Sequence, residues 1–227
     1  MERDSQCRME KSTDYKKKSQ QIAAIAHKPA RKTKQGISPK PQTAIYKTIE
    51  ALNLSDHSFV LEIDRQSNHH LPFLLQQAKG IGYYGIQFSE EVKEQTKSVE
   101  FFKKNDGYGE LITLPNDGKL NFEDRFFDCC FMANTVYFWA QPVLIFKEIY
   151  RVLRTGGLFN LTFIEKEFGR DLPWTQADFK FYELNELKTF FRISGFETIE
   201  VKQMTEELIA ADGQKMVRPF IQISGKK

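Results

Sequence analysis

From about residue 42 onward, the hydrophobic positions fall into two alternating kinds of segment. Short apolar runs at Phe59–Ile63, Tyr83–Phe88, Phe126–Met132 and Leu158–Ile164 have the length of strands buried on both faces. Between them the apolar positions recur at helical spacing. Ala44, Ile45, Ile49, Ala51 and Leu52 predict a helix over 42–54, and Leu71–Ala78 predicts a second, closed by Gly80. Ser89 followed by Glu90 and Glu91 opens a third, with a capping hydroxyl and acids in its first turn. Val143, Leu144, Phe146, Ile149, Tyr150 and Leu153 line one face of a fourth over 142–153, and a fifth spans 184–194 and ends at Gly195.

Three weaker strands complete the pattern, at Glu110–Leu114, Phe196–Val201 and Val217–Ser224, with turns at Asn116–Gly118 and Thr155–Gly157. Alternating strands and helices imply right-handed crossovers and an α/β fold, its sheet mostly parallel and covered on both faces. The spacing between the last two strands permits either a short crossover or a long hairpin. The alternation from Phe220 onward suits an antiparallel final strand.

Charge changes the picture at the amino end. The net charge of +3 is the sum of two unlike parts. Residues 1–41 hold 11 Lys/Arg against 4 Asp/Glu, and the other 186 residues hold 22 against 26. Outside Ile22–Ala26 the first segment is poor in apolar residues, so it is read as a basic, disordered tail of +7 joined to a domain of −4 over 42–227. Such a tail is attracted to nucleic acid or an anionic surface, but Tyr15 is its lone aromatic, which gives no stacking platform. Nucleic acid is therefore an expected partner of the tail at most, and the acidic domain argues against a nucleic-acid-binding core.

No apolar run approaches a membrane span, and the start, MERDSQCRMEK, lacks the apolar core of a secretory signal. Three cysteines without a CxxC spacing suggest neither a zinc knuckle nor a redox pair. Cys129 and Cys130 are neighbours on a strand and point to opposite faces. A reducing cytoplasm is the expected setting.

The segment FDCCFMANTVYFWAQPVLIFKEIYRVLRTGGLFNLTF, residues 127–163, resembles the fourth strand, helix and fifth strand of class I S-adenosylmethionine-dependent methyltransferases of the methyltransferase type 11 kind. VLEI at 60–63 is similar to that family's first strand, and YYGIQFSEEV at 83–92 to its second strand and helix. The resemblance covers roughly 42–227. It implies a Rossmann-like, seven-stranded, mostly parallel sheet with helices on both faces. It also implies S-adenosylmethionine as cofactor, Glu62, Asp117, Gly118 and Asn134 as cofactor-binding positions, and a small-molecule methyl acceptor as partner, with no membrane.

Two departures from the family pattern bear on the cofactor. The family carries Glu/Asp-x-Gly-x-Gly-x-Gly after the first strand, where the backbone passes close to the amino-acid end of the cofactor. Here Glu62 matches, but Asp64, Gln66 and Asn68 stand in the glycine places. A non-glycine residue held at positive φ costs about 1–2 kcal/mol, less for Asp or Asn. Three such positions would amount to roughly 3–5 kcal/mol if the loop kept the family's shape. At the end of the second strand the family has an acid that accepts both ribose hydroxyls, and this chain has Gln87. Cofactor binding is accordingly expected to be impaired, with the glycine loop relaxed or remade.

Tyr137 and Trp139 lie at the carboxyl edge of the sheet, where open α/β sheets bind ligands, and are the candidate substrate-binding residues. The competing reading is that they pack the following helix on the sheet. Pro173, Trp174 and the run Phe179–Tyr182 are candidates for a lid, with ordinary loop packing as the alternative. His69 and His70 lack an evident third ligand, so no metal is expected; a histidine pair in this loop would instead plug or reshape the cofactor pocket. Methyl transfer rests largely on positioning, and no catalytic acid or base is assigned. Two functions remain open: an S-adenosylmethionine-dependent methyltransferase with impaired cofactor binding, and a non-catalytic binding or partner module on the same fold.

Overall fold

The computed structural model describes residues 43–64, 68–88, 97–98, 107–114, 118–139, 141–169, 180–209 and 215–227. The basic tail, Gln66, the helix expected from Ser89, Asp117 and the candidate lid from Pro173 to Phe179 lie outside them. The strands are β1 (Phe59–Glu62), β2 (Gly82–Phe88), β3 (Lys97–Ser98), β4 (Tyr108–Leu114), β5 (Phe127–Ala133), β6 (Leu153–Phe163), β7 (Glu197–Ile209) and β8 (Lys215–Lys226). They form one sheet in the order β3-β4-β2-β1-β5-β6-β8-β7. The seven long strands are the expected Rossmann-like sheet, and two-residue β3 is added antiparallel at one edge.

The central pairings β4–β2, β2–β1, β1–β5 and β5–β6 are parallel, and β8 runs antiparallel between β6 and β7. The connection left open by the sequence is thus a long hairpin. Its ladder runs from Glu197 opposite Lys226 to Ile209 opposite Lys215, while β6 pairs with β8 only over Ile221–Lys226.

The expected turn at Thr155–Gly157 is absorbed into β6 as an irregularity. Phe127 and Cys129, two residues apart on β5, face Leu153 and Leu158, five residues apart on β6. Gly156 takes φ +80°, and a Cβ on Gly157 would lie 2.8 Å from the Arg154 carbonyl oxygen, so the backbone folds back on itself inside the strand. The Arg154 guanidinium sits on the Asp128 carboxylate beside this bulge, and Asp128 also accepts the Phe59 N–H at 2.6 Å.

Helices cover both faces. On one side lie α1 (Thr43–Glu50) and α2 (Leu71–Leu75), over a cluster formed by Ile49, Val60, Leu71, Leu74, Tyr83 and Phe131. On the other, α3 (Pro142–Val152) buries Ile145, Phe146, Ile149 and Val152, the period expected of one helical face. The short α4 (Lys166–Gly169) and α5 (Leu184–Ile193) complete that layer, and α5 buries Leu187 and Phe191 in the same core. The α2 helix is five residues rather than the eight expected, with Pro72 in its first turn.

Polar groups seat α1. The Thr48 hydroxyl donates to the Ala44 carbonyl at 2.8 Å and meets Thr162 of β6, while Asn160 Nδ2 donates to the Thr48 carbonyl at 3.2 Å. At its amino end the Ala44 N–H donates to Glu206 of β7 at 3.2 Å. Among the described residues no helix is long and apolar enough to cross a membrane.

Candidate functional site at the carboxyl edge

Strand order reverses at β1: chain order runs outward through β2 and β4 on one side and through β5 and β6 on the other. Loops leaving β1 and β5 therefore diverge, and the gap between them at the carboxyl ends is where an open α/β sheet takes a ligand. Glu62 ends β1, Gln87 stands next to last in β2, and Asn134 follows β5. The topology thus brings together positions that lie up to 72 residues apart in the sequence.

Glu62 is 3% exposed and is held from two sides. His70 Nε2 donates to Glu62 Oε2 at 2.8 Å, and the Tyr83 hydroxyl of β2 donates to the same oxygen. His70 itself is 2% exposed, with its ring edge-on to Phe131 of β5, centroids 6.1 Å apart. Its Nδ1 is buried without a hydrogen-bond partner among the described residues. His69, its neighbour, is exposed. The sequence supplied one signal for this arrangement, the histidine pair in the motif loop. It held no signal for Tyr83, whose approach depends on β2 lying beside β1.

The motif positions differ among themselves. Asp64 has the left-handed φ of +56° and is buried, whereas Asn68 is outside the left-handed region and exposed. Among the described loop positions the backbone strain therefore falls on Asp64 alone. Asp tolerates that region better than most residues, so about 1 kcal/mol is the scale. Gln87 is exposed. Gly118 has φ +76°, and a Cβ there would find nothing nearer than Leu144 Cβ at 3.7 Å, so the backbone conformation rather than crowding calls for glycine.

Asn134 is half-buried at φ +57°, a region in which asparagine is well tolerated. Its N–H donates to the Thr162 carbonyl at 2.9 Å, while its side-chain oxygen has no hydrogen-bond partner among the described residues.

The aromatic candidates sit in the core. Tyr137 is 3% exposed, its hydroxyl accepts the Ile164 N–H, and burial pushes its ionisation above the usual tyrosine range. Trp139 packs edge-on against Phe88, the last residue of β2, with centroids 4.7 Å apart. The Trp139 carbonyl accepts the Tyr182 hydroxyl at 3.1 Å, and burial pushes the Tyr182 phenol up to about 12. The rings of Tyr137 and Trp139 thus join the carboxyl edge to β2 and to the strand of chain before α5, rather than forming an open wall.

Comparison with known proteins bears on the whole arrangement. Residues 72–161 match the methyltransferase domain family. Over 107 residues the chain is 30% identical to the biotin biosynthesis bifunctional protein BioHC of Teredinibacter turnerae; the match covers 44% of this chain and 18% of that protein. The chain thus spans about a fifth of the length of that curated relative.

Among solved structures, the YcgJ protein of Bacillus subtilis superimposes with a TM-score of 0.60 at 14% identity, over 82% of this chain and 98% of that one. A phosphoethanolamine N-methyltransferase 2 of Haemonchus contortus, in complex with S-adenosyl-L-methionine, superimposes with a TM-score of 0.59 at 14% identity, over 86% of this chain and 54% of that one. Sheet order and switch point are thus those of the Rossmann-like class I methyltransferase fold, and the segment 72–161 matches a methyltransferase domain.

Proposed function

We propose that this domain is a methyltransferase of the small-molecule type whose hold on S-adenosylmethionine is impaired. The cofactor class is supported by the match of residues 72–161 to a methyltransferase domain and by a structural neighbour solved with that cofactor. The residues at the carboxyl edge of this chain do not fit it in the family's manner. The observation that carries the reading is Gln87, an exposed amide at the end of β2 where the family places an acid. An amide oxygen can accept from one ribose hydroxyl, but charge-assisted bonds worth roughly 1.5–3 kcal/mol are absent, a loss of about one to two decades of affinity. Asp64 adds to it by bringing a Cβ and a carboxylate to a left-handed position meant for glycine.

Gly118 and Asn134 support retention of a ligand edge, since Gly118 keeps its left-handed turn and Asn134 keeps a side-chain oxygen unpaired among the described residues. In this reading the acceptor is a small molecule, any nucleic-acid contact belongs to residues 1–41, and the setting is the cytoplasm, in keeping with two buried, unpaired thiols at Cys129 and Cys130. A second reading, a methyltransferase-fold binding or partner module without turnover, is favoured by the same substitutions.

Calorimetric titration of the full chain with S-adenosylmethionine tests the proposal. Binding no tighter than about millimolar is expected, with a gain of at least tenfold in Gln87→Asp. Micromolar binding by the unaltered chain overturns it.

A further inference from the structure

Glu62 is the one acidic-motif position that this chain retains, and its carboxylate already has protein partners. One of its oxygens accepts from His70 Nε2 at 2.8 Å and from the Tyr83 hydroxyl, inside a site where Glu62, His70 and Tyr83 are each 3% exposed or less. The two donors have different standing in the fold. Tyr83 belongs to β2, directly paired to β1, so its hydroxyl arrives with the sheet. His70 arrives with the loop that replaces the glycine motif, at the residue before Leu71 and α2.

The histidine does not satisfy itself there. Nε2 is bonded, but Nδ1 is buried with no hydrogen-bond partner among the described residues, and the ring rests edge-on against Phe131. Burying an imidazole nitrogen unpaired is unfavourable. The arrangement persists because the other nitrogen donates to a buried carboxylate, which would be worse left without that bond.

We infer that His70 is the built-in partner of Glu62. It takes up the Glu62 carboxylate from within and withholds it from an external ligand. The inference rests on the reading of an impaired cofactor site and names the side chain that withholds its acid. A hydrogen bond from imidazole to a carboxylate is worth roughly ten- to a hundredfold in an equilibrium constant, so a ligand competing for Glu62 is held back by about that factor. Removing the imidazole leaves a buried carboxylate with Tyr83 as its remaining side-chain donor among the described residues, a site suited to the ammonium group of an amino-acid moiety.

The experiment is calorimetric and thermal-shift titration of the full chain with S-adenosylmethionine and with S-adenosylhomocysteine. It compares the unaltered protein with His70→Ala, His70→Gln and Tyr83→Phe, each checked for a cooperative melt. His70→Ala is expected to bind at least tenfold more tightly than the unaltered chain, and added imidazole is expected to reverse that gain. His70→Gln keeps an N–H donor for Glu62 and is expected to show no such gain, as is Tyr83→Phe. A folded His70→Ala that binds no better than the unaltered chain overturns the inference and leaves the impaired-site reading in place. Micromolar binding by the unaltered chain overturns that reading instead. Should His70→Ala not melt cooperatively, His70→Asn, whose amide is too short to span the contact, carries the same expected gain and the same overturning result.

Discussion

The arm formed by β7 and β8 is tied to the first helix by one buried ion pair, and breaking that pair has a calculable consequence. Arg218 donates through Nε to Glu206 Oε1 at 2.7 Å and through a second guanidinium nitrogen to the same oxygen. Glu206 Oε2 accepts the Ala44 N–H at 3.2 Å, so one carboxylate joins β7, β8 and the start of α1. The Glu206 side chain is 1% exposed and that of Arg218 is 11% exposed. Arg218→Met keeps much of the aliphatic volume and removes the charge, leaving Glu206 buried with a single backbone donor. Removing one partner of a buried pair costs about 3–5 kcal/mol. Because Arg218 retains some contact with solvent, about 3 kcal/mol is the expected loss, or roughly 6–12 °C in melting temperature for a domain of this size.

Replacing both, Glu206→Leu with Arg218→Met, removes the stranded charge and is expected to cost only about 1 kcal/mol, the hydrogen bond lost by Ala44. Urea unfolding at pH 7, followed by tryptophan fluorescence, gives all three values. Trp139 is a suitable reporter because it is buried in the core. Glu206→Leu alone also loses the Ala44 bond and strands Arg218, so the coupling between the two substitutions should reach at least about 3 kcal/mol. If Arg218→Met costs less than about 1 kcal/mol, or if the double variant loses the sum of the singles, the pair does not hold the arm to α1 as described.

Two further outcomes follow from ionisation and burial. Arg151 donates to both oxygens of Glu148 at 2.9 Å, and these bonds, with the Leu120 N–H, outweigh partial burial and hold the Glu148 carboxyl below its usual range. A lowered folded value contributes stability that is present above the unfolded value near 4.5 and is lost as pH falls through the folded one. Urea midpoints should show Glu148→Gln less stable than the unaltered protein between pH 5 and 7, with the gap closing below about pH 4.5; a gap that widens on acidification contradicts the assignment. Burial, first, and the neighbouring Asp128 charge push the Cys129 thiol up to about 12, and burial raises Cys130 well above the ordinary thiol range. Neither should react with a thiol reagent at pH 8 until denaturant is added, and peptide mapping that finds either labelled in the native protein refutes their burial.

Much of the fold was legible in the sequence because long apolar runs and helical spacing report local burial directly. Phe127–Ala133 and Pro142–Val152 fall within a residue or so of their expected bounds, since each carries a strong single period. The candidate site was legible only in part. Resemblance pointed to Glu62, Gly118 and Asn134, but the state of each depends on neighbours remote in the chain. Tyr137 and Trp139 read equally as a ligand wall or as core, because aromatic content alone does not say which way a ring turns. Packing on Phe88 and the bond from Tyr182 put Trp139 inside.

By itself the sequence determined the α/β class, the elements that alternate, the charge division between residues 1–41 and the rest, and the loss of the motif glycines. The first three are properties of composition and local period, and the missing glycines are read from the resemblance to the family's motif. Tertiary structure alone decided that the turn at Thr155–Gly157 is a bulge within β6, that the last two strands form a hairpin, and that Ala44 is bonded to Glu206. It alone decided, too, that the one motif acid is already taken by His70 and Tyr83. Each of these depends on which strands lie side by side, and strand order is set by packing between segments far apart in the chain. No local pattern records it.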